Sequence, residues 1–551
     1  MSAAPTSGIA GPTGPQRLAE VVADALSAAG FEAAGDGRLP SFERPRNRDH
    51  GDWATNVALT LARPLRRPPR EVAQAIVAHI RVPADVERVE VAGPGFINFT
   101  LSHGALELIV AEAVARGAEW GTSDEGAKRP INMEFVSANP TGPLHVGAGR
   151  WIAAGDAMAN LLVATGWAVT REYYLNDVGN QLEVFGRSVA ALMRGEEVPE
   201  GGYRGAYITE LARELQGEGV PADPLDGVTE AAYARMLWWI KDTVAALGVD
   251  FDVWFSERTL HDSGAIDAVV ARLEAAGHAY RAEDAVWLRT TAFGDDKDRV
   301  LIRGDGRPTY FAADCAYMAS KFDRGAEHAV YLLGADHHGY VGRLQAIADA
   351  EGIGRERVEI IIGQLVNLYR GGEAVRMSKR TGEMVVLSEL LSEVGADAAR
   401  YTFLRYSLDV TIDFDIAEVV RQDRENPVYY VQYSCARIAG IMRTAQQRGV
   451  EPGAVVDADL SLLRHDAEEE LIRRIATFPE TVAYAAAERA PHKIARYAEE
   501  LAAAFHVFYT ECQVVSDDVA LTRARYQLCV AARSSLANAL HLLGVSAPER
   551  M

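Results

Sequence analysis

A loop at residues 137–150 combines residue types that can bind the phosphates of a nucleotide. It follows a β-branched run and precedes a helix-like stretch, so its backbone N–H groups would lie at the start of a helix, where anions bind. Gly147 and Gly149 would let a phosphate or a base approach the backbone, and His145 would donate a hydrogen bond to a phosphoryl oxygen. A tight turn with a capping histidine explains the same residues, and a glycine-rich loop alone is a weak signal.

A second loop, at residues 370–382, holds a short basic run between glycines, which predicts a mobile segment. The run is Met377-Ser378-Lys379-Arg380, preceded by Arg376. Lys379 and Arg380 would clamp a polyphosphate and stabilise the charge that develops on a leaving pyrophosphate. Considered alone, a solvated loop is the more common explanation of such a charge cluster.

Both loops require a scaffold, and the sequence predicts an α/β Rossmann-like nucleotide-binding domain over residues 119–395. Short apolar stretches alternate there with helix-like segments, which indicates a parallel sheet covered by helices. Ligands of such sheets bind at the carboxyl ends of the strands, where the first loop would lie. Residues from about 178 to 300, rich in Glu, Ala and Arg, are expected to form a largely helical insertion. The strands are expected at 131–136, 169–175, 329–333 and 358–362.

Three further regions flank this domain. Residues 1–16 have no apolar core and are expected to be a flexible tail rather than a secretory signal. Residues 17–118 are expected to form an α+β domain with two short strands around Gly93-Pro94-Gly95, and residues 396–551 an all-α bundle. Four widely spaced cysteines argue against a disulfide framework or a zinc cluster. No stretch approaches the roughly 20 apolar residues of a membrane span, so a cytoplasmic protein without membrane contact is expected.

The net charge of the chain is −21, from 56 Lys+Arg against 77 Asp+Glu. By itself this charge disfavours nucleic acid as a partner. Residues 44–70, however, hold a burst of arginines, which is either a solvated face or a local phosphate-binding patch in an acidic protein. The arginines are Arg44, Arg46, Arg48, Arg63, Arg66, Arg67 and Arg70.

Taken together, the two loops resemble those of class I aminoacyl-tRNA synthetases. His145-Val146-Gly147-Ala148 is similar to the His-Ile-Gly-His signature, and Arg376-Met377-Ser378-Lys379-Arg380 is similar to the Lys-Met-Ser-Lys-Ser signature. Further motifs narrow the resemblance to the arginyl-tRNA synthetase family, and it covers essentially the chain beyond residue 16. Ala148 and Arg376 depart from the signatures, which affects the expected rate more than the reaction type. The further motifs are Gly51-Asp52-Trp53-Ala54-Thr55-Asn56, Gly93-Pro94-Gly95-Phe96-Ile97-Asn98, Asp397-Ala398-Ala399-Arg400-Tyr401, residues 426–433 and the end at 542–551.

The resemblance implies a two-step reaction. ATP and arginine would give arginyl-adenylate and pyrophosphate, with bound tRNA needed for this step, and the arginyl group would then pass to the terminal ribose of tRNA(Arg). It implies ATP and Mg²⁺ as cofactors, no metal site formed by the protein, and a monomer. His145, Ser378 and Lys379 would be catalytic, and the ATP site would comprise His145, Gly147, Gly149, Met377, Lys379 and Arg380.

A pocket for arginine needs carboxylates and other acceptors, because a guanidinium offers five donors and no acceptor. Glu134 lies in the first predicted strand, where a glutamate is unusual unless it is paired. Tyr310 and Asp314 share a face if they lie on a helix. The resemblance places these three residues in the arginine site together with Asn139 and His337. From the residues alone, Glu134 could instead lie on an exposed edge strand, and Tyr310 and Asp314 could be an ordinary helix pair.

The resemblance also implies that residues 17–118 meet the tRNA elbow and residues 396–551 its anticodon loop, whose bases can stack on aromatic rings. The residues expected to contact tRNA are Arg44, Arg66, Arg67, Tyr429, Tyr433 and Arg437, whereas Phe505 and Phe508 are expected in the core. Four alternatives remain: a cysteine-specific synthetase, which would need zinc ligands; an adenylate-forming ligase that does not use tRNA; a non-catalytic tRNA-binding protein; and a specialised paralogue that charges tRNA poorly.

Overall fold

The computed structural model describes residues 14–31, 39–45, 47–375, 385–451 and 453–551, except for the side chains of residues 15, 16 and 48. The N-terminal elements surround a three-stranded antiparallel sheet of order β1-β3-β2, whose second and third strands flank Gly93-Pro94-Gly95 as expected. These elements are α1 (Pro15–Ala28), β1 (Trp53–Thr55), α2 (Val57–Leu65), α3 (Pro69–Val77), β2 (Val86–Ala92), β3 (Phe96–Leu101) and α4 (His103–Arg116).

A five-stranded parallel sheet of order β11-β10-β4-β5-β6 forms the centre of the chain, which confirms the predicted Rossmann-like architecture. The inner strand β4 is almost wholly buried, as expected for a parallel strand covered by helices on both faces. The elements of this part are β4 (Pro130–Phe135), α5 (Val146–Ala164), β5 (Ala168–Leu175), α6 (Asn180–Met193), α7 (Ala206–Gly217), α8 (Leu225–Ala246), β6 (Val253–Ser256), α9 (Arg258–Asp262), α10 (Ala265–Ala275), β7 (Ala279–Ala282), β8 (Ala285–Leu288), β9 (Arg299–Ile302), α11 (Tyr310–Asp323), β10 (His328–Gly334), α12 (Val341–Ala350) and β11 (Val358–Gly363).

The largely helical insertion expected over about 178–300 is only partly present. Helices α6, α7 and α8 occupy its first half, but β6 then joins the central sheet as its edge strand, and β7, β8 and β9 form a separate antiparallel sheet. Each of these four strands is four residues long. Strands so short give almost no period-two signal, so the sequence did not predict them, whereas α9 and α10 supply helix beyond Ala246.

The remainder of the chain is mainly helical, as predicted, with one small sheet of order β13-β12-β14. Phe505 and Phe508 lie in the core of the bundle, as expected. In the described ranges, no helix has the length and apolar character needed to cross a membrane. The elements are β12 (Val366–Arg370), β13 (Glu373–Ala374), α13 (Leu387–Val394), α14 (Ala396–Leu404), β14 (Ile412–Asp415), α15 (Ile416–Val419), α16 (Pro427–Gln447), α17 (Asp466–Ala476), α18 (Phe478–Ala487), α19 (His492–Glu511) and α20 (Val519–Leu542).

A buried ion pair fastens α5 to the helical part of the chain. The guanidinium of Arg400, on α14, lies 2.5 Å from the Asp156 carboxylate on α5 and donates to the carbonyl oxygens of Leu247 and Leu543 at 2.8 and 3.0 Å. Arg171 contacts Asp156 from the other side at 3.2 Å. Asp156 is therefore a structural contact that fixes the helix following His145.

Candidate active site

The predicted phosphate-binding loop connects β4 to α5 at the carboxyl edge of the central sheet. His145 is the N-cap residue of α5, with extended backbone at φ −91° and ψ 166°, and Gly147 lies directly beside its imidazole. The Leu387 N–H donates to the Leu144 carbonyl at 2.8 Å, and Val386 pairs with His145 as an isolated bridge. The chain that follows the predicted basic loop is thus held against the histidine.

Gly149 is buried, and its lack of a side chain has a packing cause. A Cβ atom there would lie 2.7 Å from Leu387 Cδ1 and 2.9 Å from Phe403 Cε2. Ala148, which departs from the signature histidine, is buried beside it. A role of Gly149 in binding ATP stays a prediction, since close helix packing already accounts for glycine at this position.

The signature residues Met377, Ser378, Lys379 and Arg380 lie outside the described residues, as does Arg376. On the described side before them, the Val375 N–H donates to the Leu368 carbonyl at 2.8 Å, which continues the pairing of β13 with β12. Their predicted contacts with the phosphates stay predictions.

Glu134 lies at the carboxyl end of β4 and is only 5% exposed. Since β4 is an inner strand, the edge-strand alternative is wrong. The Ser137 hydroxyl donates to Glu134 Oε1 at 2.9 Å, and Lys321 Nζ lies 3.0 Å from Oε2. Oε2 nevertheless accepts no directed hydrogen bond from the described residues. A buried carboxylate oxygen of this kind is an acceptor available for a substrate donor.

The Lys321 ammonium cannot supply that missing bond, because its three protons are directed elsewhere. Nζ donates to Asn132 Oδ1 at 2.7 Å and to Glu172 Oε1 and the Tyr317 hydroxyl, both at 2.9 Å. An ammonium has only three donors. Lys321 therefore compensates the Glu134 charge without occupying the outer oxygen.

Glu172, on β5, anchors this cluster and was missed in the sequence. Arg324 donates to both of its oxygens, at 2.6 and 3.0 Å. Burial alone would raise the pKa of Glu172, but Lys321 and Arg324 outweigh it and hold the pKa at about 2. The sequence gives no comparable signal for Glu172, because Thr170 and Arg171 precede it in β5.

Tyr310 and Asp314 lie on one face of α11, as their spacing predicts. Tyr310 is the first helical residue and is 54% exposed, with its hydroxyl beside Gly179. The Asp314 carboxylate accepts a hydrogen bond from the Tyr340 hydroxyl at 2.5 Å. Burial, together with the neighbouring Glu257 and Glu134 carboxylates, raises the pKa of Asp314 to about 7. A cation bound beside it would relieve both effects, so the site favours a positively charged ligand.

Asn139 and His337 also lie at the carboxyl edge, but neither directly contacts Asp314 in the described hydrogen bonds. The Asn139 amide donates to Gln181 Oε1 at 2.6 Å. His337 lies in a 3-10 turn, Ala335–Tyr340, with its Nε2 3.7 Å from the Asp336 carboxylate. Their roles in binding a substrate stay predictions.

Comparisons with known proteins agree with this geometry. Residues 16–101 match a family model described as the arginyl tRNA synthetase N terminal domain, residues 110–199 match the catalytic domain of class I (R) tRNA synthetases, and residues 431–551 match the DALR anticodon binding domain. An arginine–tRNA ligase of Frankia alni is 48% identical over 96% of this chain and 99% of its own length. The chain belongs to the arginyl-tRNA synthetase family. An arginine–tRNA ligase of Moorella thermoacetica is 47% identical over 97% of this chain and 99% of its own length.

The fold of a solved arginyl-tRNA synthetase from Thermus thermophilus is similar over 98% of this chain and 100% of that one, with a TM-score of 0.79 and 23% identity. Members of the arginyl-tRNA synthetase family use ATP, arginine and tRNA. Two of the residues predicted to contact tRNA lie directly after α2. Arg66 and Arg67 are exposed, with Arg67 lying over the Phe31 ring at 5.7 Å and 4.0 Å from Glu71.

The Arg44 side chain is more buried than those of Arg66 and Arg67. Its guanidinium lies 4.1 Å from the centroid of the Trp53 ring. Burial lowers the pKa of Arg44, against the opposing effects of the Glu480 and Asp52 carboxylates. The side chain lies between Trp53 of the N-terminal sheet and Glu480 of α18, and a phosphate contact of Arg44 stays a prediction.

The predicted aromatic contacts of the bundle form one surface cluster. The rings of Tyr429 and Tyr433 stack with centroids 6.1 Å apart and planes 14° apart. The guanidinium of Arg437 lies 5.1 and 4.8 Å from the Tyr433 and Tyr509 rings and donates to the Tyr509 hydroxyl at 2.9 Å. Sequence reasoning missed Tyr509, which comes from a different helix, α19.

Proposed function

We propose that this chain activates L-arginine with ATP, giving arginyl-adenylate and pyrophosphate, and then transfers the arginyl group to the 3′-terminal ribose of tRNA(Arg). The observation that carries the proposal is a pair of hydrogen-bond acceptors on neighbouring elements. One is Glu134 Oε2 at the end of β4, which accepts no hydrogen bond from the described residues, and the other is the Asp314 carboxylate on α11. They lie at the edge of the sheet where α5 begins, as expected for a ligand site of a doubly wound fold.

The carboxylates support arginine as the amino acid. A guanidinium can donate to Asp314 and Glu134 at once, with Tyr310 on the same helix face as Asp314 and with Asn139 and His337 at the rim for the amino and carboxylate groups. Each charge-assisted hydrogen bond contributes about 1.5–3 kcal/mol. Citrulline lacks the charge and ornithine lacks the planar fork, so each would leave a buried acceptor unpaired and be rejected by roughly 10⁴-fold.

We propose that the phosphates of ATP bind at the N-terminus of α5. His145 would donate to a phosphoryl oxygen, Gly147 and Gly149 would bring the backbone close, and Mg²⁺ would neutralise the triphosphate. Lys379, with Met377, Ser378 and Arg380, would stabilise the departing pyrophosphate. Such chemistry depends on positioning and on electrostatic stabilisation, and it needs no covalent enzyme intermediate.

We propose that residues 17–118 and 396–551 contact tRNA and that residues 119–395 carry out catalysis. We also propose that arginine activation requires bound tRNA. Two groups of residues support this division. The N-terminal part presents the exposed cations Arg66 and Arg67, and the helical part presents the aromatic rings of Tyr429 and Tyr433 beside Arg437. We further propose a monomer that acts in the cytoplasm.

The activation step is tested by measuring arginine-dependent pyrophosphate exchange with ATP in the presence of total tRNA. We expect exchange with arginine and at least about 10³-fold less with citrulline or ornithine. Equal exchange with citrulline would contradict the assignment of the two carboxylates to the guanidinium.

Replacing Arg66 and Arg67 with glutamine is expected to raise the KM for tRNA and to leave the KM values for ATP and arginine unchanged. Each lost phosphate contact should also reduce the slope of log affinity against log salt by about 1. The matched control is the double variant Arg281→Gln and Arg307→Gln, which removes two exposed arginines from outside residues 17–118. Equal loss in both double variants would show a general effect of charge instead of a tRNA contact.

A further inference from the structure

Tyr340 joins Asp314 to a second charged side chain. It is the last residue of the 3-10 turn Ala335–Tyr340, and it directly precedes α12. Its hydroxyl donates to Asp314 Oδ2 at 2.5 Å. On the same ring, the Arg343 guanidinium lies 4.9 Å from the centroid. The phenol therefore stands between a cation on α12 and the carboxylate on α11.

We infer that Tyr340 is a positioning residue that keeps the Asp314 carboxylate ionised and oriented, and that it thereby sets the lower pH limit for binding of the arginine substrate. This inference rests on the proposed function and adds to it a residue that is absent from the predicted arginine site.

The surroundings of Asp314 otherwise favour its protonated form. Burial is the largest effect, and the Glu257 and Glu134 carboxylates act in the same direction. The Tyr340 hydrogen bond and the Arg343 charge act in the opposite direction and leave the pKa of Asp314 at about 7. A hydroxyl that donates to a carboxylate stabilises its charged form. Tyr340 is thus the strongest of the opposing influences.

The phenol itself remains a neutral donor in the working pH range. Burial, followed by the nearby Asp314 charge, raises the pKa of Tyr340 far above neutrality. The charge state of Asp314 is therefore the variable that responds to pH. The titratable and charged groups around it come from five elements and two connecting segments: Glu134 on β4, Tyr174 on β5, Glu257 before α9, Cys315 on α11, Tyr331 on β10, Tyr340 before α12 with His337 beside its ring, and Arg343 on α12.

The direction of the pH effect follows from these charges. Arginine binds the ionised form of Asp314, so affinity falls as pH drops through the pKa of the free protein. Removing the Tyr340 hydroxyl raises that pKa, and the fall then begins at a higher pH. A rise of about one pKa unit would weaken arginine binding about fivefold near pH 7, close to tenfold at pH 6 and by little near pH 9.

The test compares Tyr340→Phe with the unaltered chain in arginine-dependent pyrophosphate exchange, with tRNA present, at several values between pH 6 and pH 9. We expect the KM for arginine to rise about fivefold near pH 7 and close to tenfold at pH 6, and to converge on the unaltered value at pH 9, with kcat at saturating arginine and the KM for ATP unchanged. Arg343→Gln should shift the profile in the same direction by a smaller amount. Tyr484→Phe, at an exposed tyrosine on α18, is the matched control and should shift nothing.

Parallel profiles would overturn the inference, whether the KM for arginine is unchanged at every pH or is raised equally at every pH. The second pattern would show that the hydroxyl only contributes to packing. If the unaltered chain showed no arginine-dependent exchange at any pH, the proposed function would fail, and the inference with it. Failure limited to the shape of the Tyr340→Phe profile would leave the proposed function intact.

Discussion

Replacing Asp314 with alanine is expected to lower kcat/KM for arginine by about 10³–10⁴-fold while the chain still folds. The substitution removes a carboxylate whose pKa is raised to about 7 by burial and by the neighbouring Glu257 and Glu134 carboxylates. Because that environment disfavours the charge, losing it relieves repulsion and does little harm to stability. Steady-state pyrophosphate exchange measures the loss, and circular dichroism with thermal unfolding checks the fold.

The matched control is Asp323→Ala, at the exposed last residue of the same helix. It should retain near-normal exchange, because the side chain lies at the opposite end of α11 from Tyr310. Near-normal arginine activation by Asp314→Ala would defeat the assignment of this carboxylate to the substrate guanidinium, and with it the role proposed for Tyr340.

Replacing Lys321 with methionine is expected to destabilise the chain by about 3–5 kcal/mol, since it leaves buried carboxylates without their cation. The lysine side chain is wholly buried and lies 3.0 Å from Glu134 and 2.9 Å from Glu172. Arg324 would still pair with Glu172, whereas Glu134 would lose its neighbouring cation. We therefore also expect weaker arginine binding. Denaturant unfolding followed by tryptophan fluorescence measures the stability change.

Lys297→Met, at an exposed lysine, is the matched control and should change stability by less than about 0.5 kcal/mol. The contribution of Glu172 to the stability of the chain is expected to fall at low pH. The pKa of Glu172 is lowered from 4.5 to about 2, so its contribution to stability is complete above the pKa of the unfolded chain and is lost as pH falls from about 4.5 toward 2. A variant as stable as the control would contradict a structural role for Lys321 in the cluster.

The central sheet could be predicted because β4, β5, β10 and β11 are rich in β-branched and other apolar residues, with an unbroken apolar run at 329–333 in β10. The strands β6 to β9 could not, because four residues carry too little periodicity to separate them from adjoining helices. The sequence pattern therefore predicted the layers of the catalytic part but missed four short strands, three of which form a separate sheet.

Within the site, local signals were sufficient for Glu134, which interrupts an apolar strand, and for the Tyr310 and Asp314 pair, which helical spacing brings to one face. Contacts between distant segments could not be found in this way. Tyr340 is 26 residues from Asp314 in the chain, and Lys321 is 149 residues from Glu172. Only the folded arrangement of α11, β5 and the turn before α12 brings these side chains together.

The tRNA surfaces show the same limit of local reasoning. Arg66 and Arg67 follow a helix end and remain exposed, as a basic run predicts. Arg44 belongs to the same run, yet it lies on Trp53 and faces carboxylates that include Glu480 of the distant bundle. The net charge of −21 is thus compatible with a nucleic-acid substrate, since only local patches, and not the whole surface, would need to face the phosphates.

The most direct measurement is attachment of labelled arginine to tRNA by the purified chain. With ATP, Mg²⁺ and total tRNA, the account predicts that acid-precipitable arginyl-tRNA accumulates, that omission of ATP or tRNA abolishes it, and that other labelled amino acids are not attached. Absence of arginine attachment to any tRNA(Arg) isoacceptor, from a chain with normal folding, would contradict the account.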